Sequence, residues 1–258
     1  MLTLRFTIAG ACAALLLAAC SKPEAPATAE PQADATPPAM GETLRGPDTG
    51  EAGGADPTIV DPDHYTAELE NDAVRVLRIH YGPGEESVMH YHPASVTVFL
   101  DDIDVEMTMG DGSTVEAATP AGTVLFNPAG EHQPKNRSGS AWEVVEVELK
   151  PRDRAMGESS GGPDPTVVDA KHYRTELEND QVRVLRITYG PGEQSVMHYH
   201  PDAVAVFLTD QDVEMTLPDG STQVISAKAR DVLAMPGGQH LPKNIGDSAF
   251  ELVLVELK

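Results

Sequence analysis

The sequence predicts an all-β protein built from two tandem barrels of the same kind. Residues 56–150 and 164–258 align without a gap, and about 60 of the 95 aligned positions are identical. Each copy contains short β-branched or alternating segments separated by Gly-, Pro- and Asp-rich turns, which is typical of an antiparallel sandwich or barrel. No segment keeps a 3.6-residue apolar period, so long helices are not expected.

The strands of each copy can be placed from short sequence patterns. VRVLRIHY and DVEMTM alternate apolar and polar residues, while VTVFL and VVEVEL are short and β-branched. The turns END, GPG, GDG and PAG separate them in the first copy, and END, GPG, PDG and PGG do so in the second. The two copies are offset by 108 residues, which is too long a repeat for a solenoid. We therefore expect two domains, at 56–150 and 164–258.

The charge balance excludes some classes of partner. The chain has 41 acidic and 18 basic side chains, a formal net charge of −23, and 40% hydrophobic residues. Such an acidic surface repels phosphate backbones, so we expect no nucleic-acid partner. A basic patch for anionic lipid is equally unexpected. The apolar content suits an ordinary globular protein.

The first 19 residues have the pattern of a secretory signal peptide. Arg5 precedes the apolar run FTIAGACAALLLAA, which is too short to span a bilayer comfortably. Leu17-Ala18-Ala19-Cys20 resembles a bacterial lipobox, which implies lipid on Cys20 and a membrane anchor facing the periplasm of the cell envelope. Ser21 resembles the pattern sent to the outer membrane. An uncleaved signal anchor or a plain secretory signal are the alternatives.

The two connecting segments lack residues that could form a core. Residues 20–55 are rich in Pro, Ala, Gly and acid, and we expect a disordered tether. A Gly- and Ser-containing linker is expected at 151–163. Cys12 and Cys20 are the two cysteines, so the mature domains would have no disulfide, no cysteine metal ligand and no cysteine nucleophile.

Three histidines in each copy have the spacing of a metal site. His90 and His92 stand two apart on an expected strand end, so their side chains point to the same face about 6.5–7 Å apart. His132 follows the PAG turn and supplies a third ligand from a second element. The second copy repeats the trio as His198, His200 and His240. The alternative is a barrel that keeps buried, hydrogen-bonded histidines without a metal.

These motifs resemble those of the cupin family, and two copies resemble a bicupin. The first cupin motif is a glycine, five residues, His-x-His, then three or four residues and a glutamate. The second is a Pro-x-Gly turn followed by histidine and asparagine. The resemblance implies two double-stranded β-helix (jelly-roll) barrels and covers about 190 residues. The matching residues are Gly84, His90, His92, Pro128, Gly130, His132 and Asn136, and Gly192, His198, His200, Pro236, Gly238, His240 and Asn244.

The chain departs from the cupin pattern at the motif glutamate. Its place falls at Val96 or Thr97, and in the second copy at Val204 or Ala205, none of which ligates metal. By resemblance, the site is similar to that of the three-histidine cupins, which include non-haem iron dioxygenases acting on thiols and β-diketones. The spacing from Gly130 to His132 is also one residue shorter than in the usual cupin pattern. The cupin pattern also has a glycine ahead of the Pro-x-Gly turn, which is Gly122 in the first copy. Arg230 stands at this position in the second copy.

A three-histidine site constrains the metal and its guest. Neutral imidazoles leave a divalent ion its full +2 charge, so the open positions favour an anionic or bidentate oxygen or sulfur ligand. The resemblance favours Fe(II), with Zn, Ni, Cu or Mn as alternatives. Mg²⁺ and Ca²⁺ prefer oxygen ligands and are not expected.

Other repeated polar residues are interpreted as structural. His64 and His172 are interpreted as loop packing, and Asn136 and Asn244 as turn-holding amides. Glu85 and Glu193 are read as solvated loop acids, with positioning of a ligand or a general-base role as the alternative. Solvent-facing positions are expected for His80, Glu106 and Glu214.

Three functions remain open from the sequence. The first is a metal-dependent oxidation or isomerisation of a small anionic compound, of the dioxygenase or isomerase type. The second is a non-catalytic module that binds a small ligand or captures metal. The third is a structural envelope protein whose duplication supplies stable barrels. The fold alone does not choose among them, because cupin-like folds host all three.

Overall fold

The structure is a computed structural model that describes residues 54–151 and 161–258. The signal peptide expected at 1–19, the lipidation site Cys20, nearly all of the tether at 20–55 and most of the linker at 151–163 lie outside the described residues. No helix in the described ranges is both long and apolar enough to cross a bilayer.

Each copy folds into two antiparallel sheets that face one another, which confirms the expected all-β barrels. In the first copy the five-stranded sheet has the order β1-β2-β9-β4-β7, and the four-stranded sheet has the order β3-β8-β5-β6. The strands are β1 (Tyr65–Glu70), β2 (Val74–Tyr81), β3 (His90–His92), β4 (Ser95–Phe99), β5 (Ile103–Met109), β6 (Thr114–Thr119), β7 (Val124–Asn127), β8 (Gly130–Asn136) and β9 (Trp142–Leu149).

The second copy repeats this topology strand for strand. Its sheets have the orders β10-β11-β18-β13-β16 and β12-β17-β14-β15. The strands are β10 (Tyr173–Glu178), β11 (Val182–Tyr189), β12 (His198–His200), β13 (Ala203–Phe207), β14 (Gln211–Thr216), β15 (Thr222–Ala227), β16 (Val232–Met235), β17 (Gly238–Asn244) and β18 (Phe250–Leu257).

A one-turn helix precedes the first strand of each copy, which the sequence patterns did not predict. These are α1 (Pro57–Val60) and α2 (Pro165–Val168). In α1 the Asp56 carboxylate accepts a hydrogen bond from the Thr58 backbone N–H at 2.9 Å, and proline occupies the first turn. This is an N-cap with a preorganised first residue, and it stabilises a helix too short to show any apolar period.

The two faces of each five-stranded sheet are both buried. Inward-facing side chains fill the barrel, led in the first copy by Tyr65, Leu77, Ile79, Tyr81 and Phe99. The outward-facing side chains form a second core that is shared by the two barrels. This shared valine layer consists of Val74, Val76, Val96, Val98, Val145, Val147 and Leu149 from one copy, and Val182, Val184, Val204, Val206, Val232, Val253, Val255 and Leu257 from the other.

Polar contacts at the edge of the valine layer are reciprocal. Arg78 Nη2 donates to the Arg230 carbonyl oxygen at 2.7 Å, and the equivalent Arg186 Nη2 donates to the Gly122 carbonyl oxygen at 2.5 Å. Arg230 occupies the left-handed region at φ 76°, as Gly122 does at φ 79°. Its guanidinium also binds Asp101 at 2.6 Å, an ion pair between the barrels that Gly122 cannot make.

Candidate metal centre

Strand pairing brings the three histidines of the first barrel together. β3 pairs with β8 so that His90 lies directly opposite His132, while His92 shares the inward face with His90. The ring centroids are separated by 4.9 Å for His90–His92, 4.8 Å for His90–His132 and 5.0 Å for His92–His132. One nitrogen of each ring lies within 4.8 Å of those of the other two, so a single ion can reach all three.

The second barrel repeats this arrangement closely. His198 lies opposite His240, and the centroid distances are 4.9 Å for His198–His200, 4.9 Å for His198–His240 and 5.2 Å for His200–His240. Both groups therefore place three imidazoles around one point, as the spacing in the sequence predicted.

Hydrogen bonds on the outer nitrogens fix how two of the rings point. His90 Nδ1 donates to the Val88 carbonyl oxygen at 2.7 Å, and His92 Nδ1 donates to Glu148 Oε1 at 2.8 Å. The Nε2 atoms of His90 and His92 are left buried without a hydrogen-bond partner in the described residues, as is His198 Nε2. A buried nitrogen lone pair without a donor is costly unless something binds it, so the donor set fits a transition-metal ion.

Burial keeps most of these imidazoles neutral, which is the state that binds metal. Desolvation lowers the pKa of His90 to about 4 and that of His132 to about 3. The pKa values of His198 and His240 are likewise lowered to about 4 and about 3. Burial also disfavours charge on His92, but Glu146 and the hydrogen bond to Glu148 outweigh it and raise the pKa of that imidazole.

A buried ion-pair chain holds His92 from behind. Glu148, 1% exposed, accepts from His92 and from Arg75 Nε at 2.5 Å, and Arg75 Nη1 contacts Asp56 at 2.6 Å. The chain thus runs from the site to the N-cap of α1. A carboxylate behind a ligating histidine fixes its tautomer and increases its basicity. The second barrel has the same chain in His200, Glu256, Arg183 and Asp164.

The remaining repeated histidines, asparagines and loop acids lie apart from the trios. His64 stacks on Tyr81 at 4.2 Å between centroids, and Asp61 accepts from its Nδ1 at 2.7 Å. Asn136 Nδ2 donates to the carbonyl oxygens of Gly82 and Ser140 at 2.8 Å each, so it holds a turn. The copies of these residues, His172 and Asn244, make equivalent contacts.

The loop acids Glu85 and Glu193 and the outer-face residue His80 also lie apart from the trios. Glu85 is exposed and accepts from the Gly82 backbone N–H at 2.5 Å, while Glu193 accepts from the Gly190 N–H at 2.7 Å. Each therefore closes the turn before the histidine strand, and within the described residues neither acid hydrogen-bonds to a histidine of the trio. His80 is exposed.

The cavities beside the two trios differ in size. The first barrel holds a cavity of about 320 Å³ and the second one of about 60 Å³. The first is lined by His92 and His132 and by the apolar side chains of Phe99, Ile103 and Trp142. The second is lined by His200 and His240. The first is large enough for a compact organic molecule, whereas the second has room for about one or two waters.

The cavities also differ in polarity at four equivalent positions. In the first barrel Ser95 Oγ donates to Glu146 Oε1 at 2.6 Å, and Asn127 Nδ2 donates to Thr97 Oγ1 at 2.8 Å. We call these four residues the polar wall. The second barrel has apolar residues at all four places, namely Ala203, Ala205, Met235 and Leu254.

The polar wall occupies the place of the missing motif glutamate. Val96 points into the valine layer, while Thr97 points inward and pairs across the sheet with Glu146 of β9. Glu146 is 4% exposed, and its Oε1 lies 3.6 Å from His92 Nδ1. A carboxylate thus stands beside the position that lacks one, supplied by the neighbouring strand.

The sequence patterns did not identify Glu146, Glu148 and Glu256 as residues near the trios. In VVEVEL the valines suggest the core face and the glutamates suggest the solvent face. The valines face the other barrel instead, and the glutamates face inward. The available signal was the repeat itself, because Glu148 recurs as Glu256 while Glu146 becomes Leu254.

Two oxalate decarboxylase structures support the fold, at TM-scores of 0.52 and 0.51. An oxalate decarboxylase structure matches 74% of this chain and 71% of its own, at 13% identity and a TM-score of 0.52. The oxalate decarboxylase of Lactobacillus farciminis, in a formate complex, matches 74% of this chain and 80% of its own, at 13% identity and a TM-score of 0.51. A Bordetella pertussis cupin domain matches 34% of this chain and 92% of its own, at 27% identity and a TM-score of 0.32.

Searches by sequence gave no match. No family model matches the chain, and no curated protein matches it significantly. At identities this low, the structural likeness establishes the fold alone. The chain has the bicupin fold, and each of its barrels carries a three-histidine group that can hold a divalent metal ion.

Proposed function

We propose that this protein is a lipid-anchored, metal-binding bicupin of the bacterial envelope that acts on a small anionic compound at a three-histidine site. The observation that carries the proposal is the pair of histidine trios, in each of which one nitrogen per ring lies within 4.8 Å of the others. The buried Nε2 atoms of His90, His92 and His198 have no hydrogen-bond partner in the described residues. Two equivalent trios built in the same way indicate two metal ions per chain.

The metal ligands would be His90, His92 and His132, with His198, His200 and His240 in the second barrel. Fe(II) is the first candidate, with Mn, Ni, Cu or Zn as alternatives that imidazole also accommodates. A bound ion of this kind would supply Lewis acidity and, for iron, redox chemistry. The protein side chains would keep most of the ligands neutral, orient His92 through Glu148, and limit water in a largely apolar cavity.

Elemental analysis tests the metal site directly. The full chain, purified without affinity metals, is expected to contain about two equivalents of one transition metal. The His90→Ala and His198→Ala variants should each lose about one equivalent, and the double variant should lose both. His64→Ala is the matched control, since His64 lies in a loop outside the trio, and it should keep both metals. Equal, negligible metal in all five proteins would contradict the proposal and favour a structural role.

A non-catalytic module is the second candidate, and the second barrel favours it. Its cavity of about 60 Å³ leaves little space for a substrate beside the trio. Oxygen uptake by the Fe(II)-loaded protein in the presence of small chelating compounds separates the two functions. Uptake that is lost in His90→Ala and retained in His198→Ala supports catalysis in the first barrel. Tight binding without turnover supports the module.

The envelope location rests on the lipobox-like sequence around Cys20, which lies outside the described residues. Labelled palmitate should be incorporated into the full chain expressed in a bacterium, and Cys20→Ala should abolish both the label and the membrane fraction. Cys12→Ala is the control and should retain both. A label that survives Cys20→Ala would contradict the lipid anchor.

A further inference from the structure

The first barrel contains a buried carboxylate with spare hydrogen-bonding capacity. In the described part of the chain, Glu146 accepts one hydrogen bond, from Ser95 through Oε1. A carboxylate can accept about four hydrogen bonds in all. The cation nearest to it is the His92 imidazole, when protonated, at 3.6 Å. Burying a carboxylate with so few partners is unfavourable, so this residue is placed for a purpose other than stability.

The groups around Glu146 leave its carboxylate available to a ligand, because they do not pair it with a cationic side chain of the protein. Glu148, on the same strand, is neutralised by Arg75, whereas Glu146 has no arginine or lysine within 4 Å among the described residues. Asn127 and Thr97 hydrogen-bond each other beside it and line the same cavity as His92 and His132. The polar wall therefore faces the space that a guest of the proposed metal site would occupy.

Most of the remaining lining of this cavity is apolar, although Thr119 and the exposed acid Glu131 also line it. Phe99 lies beyond Thr97 on the inward face of β4, Trp142 and Val144 share the inward face of β9 with Glu146, and Ile103 lines the cavity from β5. A guest of about 320 Å³ would therefore present a polar edge to Glu146 and to the trio, and an apolar body to these side chains. A carboxylate accepts hydrogen bonds but does not donate them, so the polar edge must carry a hydroxyl or similar donor.

We propose that Glu146 is the specificity-determining residue of the first barrel, and that it selects a small chelating compound whose hydroxyl group donates to its carboxylate. This inference rests on the proposed metal site and narrows its substrate class. A fully ionised dianion is disfavoured, because it offers no donor and is repelled by the carboxylate. The second barrel, with Leu254 in place of Glu146, holds metal without taking such a compound.

Ligand titration of the zinc-loaded full chain tests whether only the first barrel takes such a compound. Zinc is redox-silent, and 4-nitrocatechol reports its own binding by its visible absorbance. We expect one 4-nitrocatechol per chain although two zinc ions are bound. Glu146→Gln keeps the shape of the side chain but removes its charge, and it should weaken 4-nitrocatechol binding roughly tenfold or more, because hydrogen bonds to a charged acceptor are the strong ones. Oxalate, which has no donor at neutral pH, should bind the same variant equally well or more tightly.

Controls separate this inference from the metal site itself. Glu143→Gln, on the outer face of the same strand, should leave both affinities unchanged. Glu146→Leu copies the second barrel and should lose 4-nitrocatechol binding even if Glu146→Gln folds poorly. Two bound 4-nitrocatechol molecules per chain, none at all, or parallel losses of 4-nitrocatechol and oxalate at full zinc content would overturn the inference while leaving the metal site intact. Zinc below one equivalent with no ligand bound would overturn both.

Discussion

The two barrels have the same three-histidine group but pockets of different size and polarity. Their histidine trios agree within a few tenths of an ångström, and the Glu–Arg–Asp chains behind them repeat atom for atom. The polar wall of the first barrel, however, becomes four apolar side chains in the second, and the cavity shrinks from about 320 to about 60 Å³. The difference teaches that the trio and the pocket lining vary separately in this fold, because the histidines are retained where the polar wall is replaced.

The largest expected effect comes from moving the carboxylate into the second barrel. Leu254→Glu would bury a charge beside Ala203, which lacks the hydroxyl that Ser95 gives to Glu146. We expect a loss of about 3–5 kcal/mol in the free energy of unfolding, measured by urea titration. Leu254→Met conserves volume and should cost less than about 1.5 kcal/mol. If both variants are equally stable, the second pocket is more polar than its lining indicates.

Removing the buried arginine should affect the two barrels unequally. Arg75→Met leaves Glu148 without its cation and close to Glu146, whereas Arg183→Met leaves Glu256 facing Leu254. We expect a cost of about 3 kcal/mol for the first and about 2 kcal/mol for the second, with partial solvent access limiting both. Equal urea midpoints for the two variants would show that Glu146 adds nothing to the cost of leaving Glu148 without its cation.

Acid should destabilise the metal-free barrels to a similar extent. The pKa values of His90 and His198 are about 4, and those of His132 and His240 about 3, against 6.5 for a free imidazole. The unfolded chain therefore binds more protons as the pH falls below about 6.5, and stability is lost progressively towards pH 3–4. The raised pKa of His92 opposes this loss in part.

Urea midpoints at pH 7, 6 and 5 measure this slope. His132→Gln and His240→Gln should each flatten it by a similar amount, because desolvation is the main cause of the shift at both positions. A slope that neither variant changes would mean that other groups control acid unfolding. A change in one variant alone would show that the two trios are less alike than their geometry.

The smallest effect is expected at the loop on the edge of the valine layer, where the first barrel has Gly122 and the second has Arg230. Gly122→Ala should cost about 1 kcal/mol, because its φ of 79° strains a residue with a Cβ although the nearest atom would lie 3.9 Å away. Arg230→Gly relieves that strain but loses the ion pair with Asp101, so its thermal midpoint should hardly change. A large loss in Arg230→Gly would show that the ion pair dominates.

Much of the fold and the positions of the trios could be predicted from the sequence, because both depend on local patterns. Strand alternation and turn residues defined the sheets, and the His90-x-His92 spacing with a third histidine predicted convergence. The same patterns missed α1 and α2, since one turn cannot display a period. They also could not reveal that Val96 and Val147 cover the other barrel, because alternation shows that a strand has two faces and not which surface each one meets.

The shared valine layer has a consequence for how the pockets could diverge. Its contacts are reciprocal, since Arg78 meets the loop of Arg230 as Arg186 meets that of Gly122. Two separate but identical chains could meet in the same way, yet each of their substitutions would appear twice around the symmetry axis. Covalent joining removes that constraint. One half can then contain a buried acid such as Glu146, which lowers its stability. The other half has Leu254 at the same position and does not bear that cost.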